Sequence, residues 1–348
     1  MINLYNIAQV SFKLTKEIGQ EGQNSSTYIA HDHQLDAEIV IKKIAKQKLD
    51  SVDGFFNESR ILYLSSHPNV VQIHYACQDD DNIYIAMPYY KNGSLKNLID
   101  SRFLTVREIV VFGCQIASGL HNIHSKKLIH FDIKPDNILL SERGEALVSD
   151  FGLSKHIDIS GKASQDRMYV KMLPPEAMNG CDFTVSFDVY QLGLTLYRMC
   201  NGNSNFYEQF YKYGVNLSVF NRDEFRLDVR NGRFPDRQTF LEHIPKKLRK
   251  IIKKCLEPDP SNRYHATIEV ANALADINGN ILDWQFSQSD SNKVWTKLVD
   301  SREYKLVIFP DGSASAQKTV GSGSVQRIRD YCKQSLTLSE FKRFFEDR

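Results

Sequence analysis

His130-Phe131-Asp132-Ile133-Lys134-Pro135-Asp136-Asn137, with Asp150-Phe151-Gly152 downstream of it, carries the densest chemistry in this chain. The order is an Asp, a Lys two residues on, an Asn three beyond that, and a second Asp placed before Phe-Gly. Metal-assisted phosphoryl transfer requires such a set. Asp132 can accept or orient the proton of a hydroxyl nucleophile, and Lys134 can neutralise charge on the moving phosphoryl group. Asn137 and Asp150 can hold Mg²⁺ against a nucleotide. The candidate catalytic residues are therefore Asp132, Lys134 and Asn137, and the candidate metal ligands Asn137 and Asp150.

Outward from that loop, the chain is 348 residues long and 42% hydrophobic, enough for a large core and more than one domain. A formal charge of +2 gives no bulk electrostatic attraction to nucleic acid or an anionic membrane. The six cysteines are scattered without a C-x-x-C pair, against a disulfide framework or structural zinc and in keeping with a reducing compartment. No apolar run reaches the ~18 residues of a membrane span. Met1-Ile2-Asn3-Leu4-Tyr5 lacks the features of a signal peptide, so the expected location is cytoplasmic.

Ser11–Ile18, Thr27–His31 and Glu38–Ile44 read as strands, as do Val70–Cys77 and Asn82–Tyr89 around the turn Gln78-Asp79-Asp80-Asp81. Between them Phe55–Ser65 switches to helical spacing and points Glu58 inward. Val106–His124 has the apolar stripe of an amphipathic helix, and Val185–Cys200 is apolar enough to be a buried one. Strands with one helix, followed mostly by helices, is an α+β order that suggests two lobes.

The remaining motifs follow in a fixed order. Ile39-Val40-Ile41-Lys42 sits on a strand, Leu173-Pro174-Pro175-Glu176 closes the segment after Asp150, Asp188 opens the buried helix, and Arg263 follows Asp259-Pro260-Ser261-Asn262. Over residues 11–276 this succession resembles the eukaryotic-type Ser/Thr protein kinase family, in a non-RD, bacterial-like variant. The resemblance implies a small, mainly antiparallel β N-lobe with one helix (about 11–87), a hinge at 88–91 and a larger helical C-lobe (92–276). It implies ATP and Mg²⁺, with Lys42 on the α- and β-phosphates, Glu58 paired to Lys42, and Glu176 paired to Arg263. Thr27, Val40 and Leu139 would sandwich the adenine. Met87 stands as gatekeeper, Pro88 offers a C=O to the base and Tyr90 an N–H. Protein Ser/Thr hydroxyls, including the chain's own, are the implied acceptors. A nucleotide-binding scaffold without turnover and a small-molecule kinase on the same fold stay open beside that reading.

Several positions depart from the family pattern. The phosphate loop is degenerate: where the family has G-x-G-x-x-G-x-V, this chain has Gly19-Gln20-Glu21-Gly22-Gln23-Asn24-Ser25-Ser26-Thr27, with Ser25 in a glycine position or one residue inserted after Gly19. Val40 replaces the usual alanine and narrows the pocket. Phe131 replaces the arginine that binds a phosphorylated activation loop, which implies activity independent of that modification. Tyr169 stands where a threonine is usual, and Ser160, Ser164 and Tyr169 are candidate phosphosites.

Beyond 277–280 the pattern changes. Residues 281–348 carry both tryptophans, the strand-like runs Val294–Val299 and Tyr304–Phe309, a turn at Pro310-Asp311-Gly312-Ser313, and Ala314–Val320 as the returning strand. Two short helices are expected after Gly321-Ser322-Gly323-Ser324, the last opened by a Thr337/Glu340 capping box. Arg327, Arg329 and Lys333 would share one helix as a solvated face rather than a nucleic-acid patch. The roles open to this appendage are packing against the kinase-like portion, recognition of a protein substrate or regulator, and self-association.

Overall fold

Alternation of apolar and polar residues through the first ninety positions builds one antiparallel sheet. Its strands are β1 (Phe12–Gly22), β2 (Ser25–Asp32), β3 (Ala37–Ala45), β4 (Tyr75–Gln78) and β5 (Asn82–Pro88), in the order β1-β2-β3-β5-β4. The computed structural model describes residues 9–22, 25–48, 60, 63, 66–166, 168–178, 180, 182–216, 219–321 and 323–348. On one face of the sheet Ala30, Ile39, Ile41 and Ala86 form an apolar cluster. The period of two then sends Val40 and Lys42 to the opposite face. Arg60 and Tyr63 are helical; the rest of the helix expected over Phe55–Ser65, Glu58 included, lies outside the described residues.

The strand expected from Val70 begins only at Tyr75. Val70 instead makes a single parallel bridge to Val148 in the helical lobe, and the Asn69 side chain donates to Ala146 O at 3.1 Å. Those bonds commit 69–71 to the lower lobe before the chain can join the sheet.

Helices dominate from residue 95. They are α1 (Leu95–Ser101), α2 (Val106–Ser125), α3 (Ser186–Asn201), α4 (Asn203–Tyr211), α5 (Arg222–Arg230), α6 (Lys246–Cys255) and α7 (Thr267–Ala275). A reciprocal Thr105/Glu108 capping box starts α2. Gly119 lets it lie against the chain beneath the site, since a Cβ there would sit 2.5 Å from Asn69 O. Every residue of α3 from Phe187 to Asn201 is buried, so this helix is the axis of the lobe. Short pairs dress its upper surface: β6 (Leu128–Ile129) with β9 (Lys155–His156), β7 (Ile138–Leu140) with β8 (Ala146–Val148), and β10 (Ala163–Ser164) with β11 (Asp182–Phe183). No helix among the described residues is long and apolar enough to cross a membrane.

The last segment is a five-stranded antiparallel meander, β12 (Gln285–Ser289), β13 (Asn292–Val299), β14 (Arg302–Ile308), β15 (Ala314–Val320) and β16 (Ser324–Arg327), followed by α8 (Leu338–Asp347). Ala314–Val320 pairs back on β14 and Thr337/Glu340 cap α8, as the sequence predicts. The helix expected to carry Arg327, Arg329 and Lys333 does not form: Arg327 ends β16, Arg329 starts a single 3₁₀ turn, and Lys333 exchanges backbone bonds with Ala314. The turn at Gly321, whose φ is +57°, folds the chain back onto β15 before a helix can nucleate. Trp284 and Trp295 are fully buried with Phe344 and Phe345.

That cluster is closed by the helical lobe. Trp295 Nε1 donates to His243 Nδ1 at 3.0 Å, and Gln285 Nε2 donates to Phe103 O at 2.9 Å. Arg107 grips Asp283 with two bonds, and Lys293 meets Glu242 at 2.7 Å. His243 is buried, which pushes its pKa down to about 3 and keeps it a neutral acceptor for the indole. Of the roles open to 281–348, packing against the kinase-like portion is the one these contacts fill.

Candidate active site

A loop that must hold several polar groups in one place needs anchors, and α3 supplies them. Asp188, fully buried in its first turn, accepts His130 N at 2.8 Å, Phe131 N at 2.9 Å and His124 Nε2 at 2.8 Å. Burial alone would raise the Asp188 pKa, but the His124 hydrogen bond and the neighbouring donors outweigh it and the pKa is lowered. One turn below, Gln191 Oε1 accepts Ile133 N at 2.8 Å while its Nε2 donates to Phe131 O at 3.1 Å. These bonds hold Phe131 at φ +68°, a left-handed conformation costly for a bulky side chain. The loop is thereby turned so that Asp132 faces the cleft.

At Asp132 the two carboxylate oxygens differ. Oδ2 accepts Lys134 Nζ at 2.9 Å and Asn137 Nδ2 at 2.7 Å. Oδ1 is buried and has no hydrogen-bond partner among the described residues. A buried acceptor left open at a fixed position is costly unless something else supplies a donor. Asn137 Nδ2 also donates to Asp132 O at 2.9 Å, so both bonds of that amide leave from its nitrogen. Beside it, His130 donates through Nε2 to Ser149 O and accepts Asp132 N at Nδ1, and burial lowers its pKa.

Asp150 stands across from this loop at φ +60°, its side chain half open to the cleft. Lys42 reaches it from β3 with Nζ–Oδ1 of 3.1 Å, and that charge holds the Asp150 pKa at about 2 against the opposing effect of burial. The fold thus brings Lys42, Asp132, Lys134, Asn137 and Asp150 together. A carboxylate kept ionised and an amide oxygen that makes no hydrogen bond among the described residues suit Mg²⁺, which usually takes one or two carboxylates and completes its shell with phosphates and water.

Backbone pairing places most of the other site candidates. Val40 pairs with Met87 and Ile39 with Pro88 across β3 and β5, while Leu139 bridges Ser94 below. Tyr90 O accepts Gly93 N in the turn that links the lobes. Gly19, Gly22, Ser25 and Thr27 all lie in the β1–β2 hairpin, where Gly19 is opposite Thr27 and Gly22 opposite Ser25, with irregular register between. Gln23 and Asn24 at its tip are outside the described residues, as is Glu58.

Two structural pairs also close. Arg263 forks onto Glu176 at 2.8 and 2.7 Å and donates to the carbonyls of Glu257, Pro258 and Ser186. Phe131, at the position of the expected arginine, is buried among Ile129, Ala163, Phe183 and Phe187. Sequence reading missed Gln191 and His124; their signal was their spacing from Asp188 on α3 and their place at the end of α2. It also missed the contact that Tyr169 makes, its ring lying 4.5 Å below Lys134 Nζ.

Comparison with known proteins matches these observations. The family model described as "Protein kinase domain" matches residues 12–273. A "Probable serine/threonine-protein kinase" of Clostridium perfringens is 29% identical over 272 residues, covering 76% of this chain and 38% of that protein. Serine/threonine-protein kinase PknD of Protochlamydia amoebophila is 27% identical over 299 residues (74% and 29%). Serine/threonine-protein kinase ULK3 of Rattus norvegicus is 28% identical over 258 residues (72% and 52%). The chain spans less than half the length of both bacterial relatives. With its motifs in order, its charged groups gathered in one cleft and three quarters of its length matched, the chain belongs to the protein kinase domain family, of the eukaryotic serine/threonine type.

Proposed function

We propose that this chain transfers the γ-phosphoryl group of ATP to Ser or Thr hydroxyls of protein substrates, itself included. The observation that carries the reading is the open Oδ1 of Asp132, beside an Oδ2 already fixed by Lys134 and Asn137. A hydroxyl donating to Oδ1 is oriented for attack. Its oxygen bonds to the γ-phosphorus, the bond to the β–γ bridging oxygen breaks, ADP leaves with that electron pair, and the proton passes to Asp132. Lys134 stabilises negative charge beside this carboxylate, and Lys42 would contact the α- and β-phosphates. Mg²⁺ held by Asp150 and Asn137 would neutralise charge on the phosphates. Incubation with Mg²⁺ and γ-labelled ATP, followed by phosphosite mapping, tests the reading: label on Ser or Thr supports it, and nucleotide binding without any transfer refutes it.

The metal assignment has its own test. Asp150→Ala should abolish the Mg²⁺ dependence of ATP affinity in calorimetric titration. An unchanged dependence would remove Asp150 from the ligand set.

Phosphorylation of the activation segment should be dispensable. The first half of this segment is tied down twice, Lys155–His156 pairing with β6 and Ala163–Ser164 with β11, and Phe131 meets Phe183 and Phe187 edge-on at 5.9 and 4.9 Å. Apolar contact supplies the anchor that a phosphate–arginine pair would otherwise supply. Phosphatase-treated protein is expected to keep its activity, and loss of most of it would overturn this account.

A further inference from the structure

Lys171 lies in the 3₁₀ turn Val170–Met172 and holds its ammonium over three rings of α4. The centroids of Tyr207, Phe210 and Tyr211 are 4.7, 5.1 and 5.3 Å away. Residues 207, 210 and 211 share one helical face, so the rings form a preset wall. The lysine is half-buried against them, and burial, aided by the nearby Arg198 charge, lowers its pKa. A cation stripped of water regains only part of its hydration from aromatic faces.

The charges around it are otherwise matched. Arg198, buried, meets Asp136 Oδ2 at 3.6 Å and donates to Asn203 and to the Tyr207 hydroxyl. Lys96 pairs with Asp100 at 2.8 Å. Each carboxylate of the cluster has another cation, and Lys171 has no carboxylate within ion-pair distance among the described residues. The group is therefore one positive charge in excess.

Its place relative to the chemistry is fixed by Tyr169, two residues earlier, whose ring lies under the lysine that bonds Asp132. Two residues span at most about 7 Å, and three residues of extended substrate about 10 Å. Tyr169, Val170 and Tyr211 are each more than a third exposed and leave the approach open.

We propose that Lys171, walled by Tyr207, Phe210 and Tyr211, is a specificity subsite for an anionic side chain on the protein substrate, within about three residues of the acceptor hydroxyl. The chemistry recognised is a carboxylate or phosphate oxygen accepting a charge-assisted bond in a water-poor niche. This rests on the transferase reading above.

The test uses peptide libraries degenerate except for a central Ser and one flanking residue fixed as Ala, Asp, phosphoserine or Lys. For the wild type, Asp or phosphoserine at one or two neighbouring positions should raise kcat/KM about tenfold over Ala, mainly through KM. Lys171→Met, which keeps the packing and removes the charge, should erase that ratio while the Ala library is still turned over. Lys171→Arg should restore it. Gains with Asp and phosphoserine alike assign a general acidic preference; a gain with phosphoserine alone assigns substrates phosphorylated beforehand. Equal rates for the Ala, Asp and phosphoserine libraries at every position, or a preference that persists in Lys171→Met, overturn the subsite and leave the transferase standing. No transfer to any library or to the chain itself overturns the transferase reading and the subsite with it.

Discussion

Asp132→Asn is expected to slow phosphoryl transfer by about 10²- to 10⁴-fold while nucleotide affinity stays unchanged. The substitution keeps the shape of the side chain and changes only which atoms face which neighbours. Lys134 and Asn137 both donate toward the Oδ2 position, so the amide oxygen must take that place. The amide NH₂ is then forced into the Oδ1 position, and the acceptor hydroxyl meets a donor where it needs an acceptor. Single-turnover transfer from labelled ATP, read beside an equilibrium nucleotide titration, separates the two effects. Retained turnover would mean that another group takes the proton. Parallel loss of affinity would mean that the asparagine has disturbed the cleft as a whole.

Asp188→Ala is expected to lower folding stability by about 3–5 kcal/mol and to inactivate what remains folded. Three donors lose the buried carboxylate that accepts them: His124 Nε2, His130 N and Phe131 N. The left-handed turn at Phe131 loses two of the bonds that hold it, so Asp132 leaves its position even where the lobe survives. Asp188→Asn keeps one acceptor and should fall between. The carboxylate also links stability to pH. Its folded pKa lies below the ordinary 3.8, so its contribution is complete above that value and is lost as pH falls through the lower, folded one. Chemical denaturation at neutral pH and below pH 4 reads both effects. A wild-type midpoint in Asp188→Ala would show that the three donors find other partners.

The chemistry of the site was legible because it is written in consecutive residues. Asp132, Lys134 and Asn137 fall in one loop whose spacing is fixed by the reaction, and Asp150 follows at the end of the next hairpin. Long helices such as α2 were legible through their apolar stripe, and β3 through its Ile and Val run. What escaped the sequence is held by side chains acting across the fold. Gln191 looks like one more residue of an apolar helix until its amide is seen threading two backbone bonds into the loop. The outer strands β12 and β16 lack apolar alternation, and all of β16 is exposed. The first two turns of the meander are Asp290-Ser291 and Asp300-Ser301, with both residues of each pair left-handed. Asp tolerates that conformation and fits a two-residue hairpin, a signal weaker than Asn-Gly but present. Val70 was misread because β-branched composition cannot say which lobe a residue will bridge.

The indole of Trp295 seated on His243 bears on how this molecule comes apart. The appendage fills its interior with Phe286, Trp295, Leu306 and Phe345, yet Phe103 and Leu241, from the other side of the 277–280 junction, pack against the same cluster. A cut there would divide one apolar interior between two fragments and leave a buried imidazole and a tryptophan N–H each without the other. The appendage is thus no portable cassette to be exchanged among kinases, but a buttress that inherits part of its own interior from the lobe it supports.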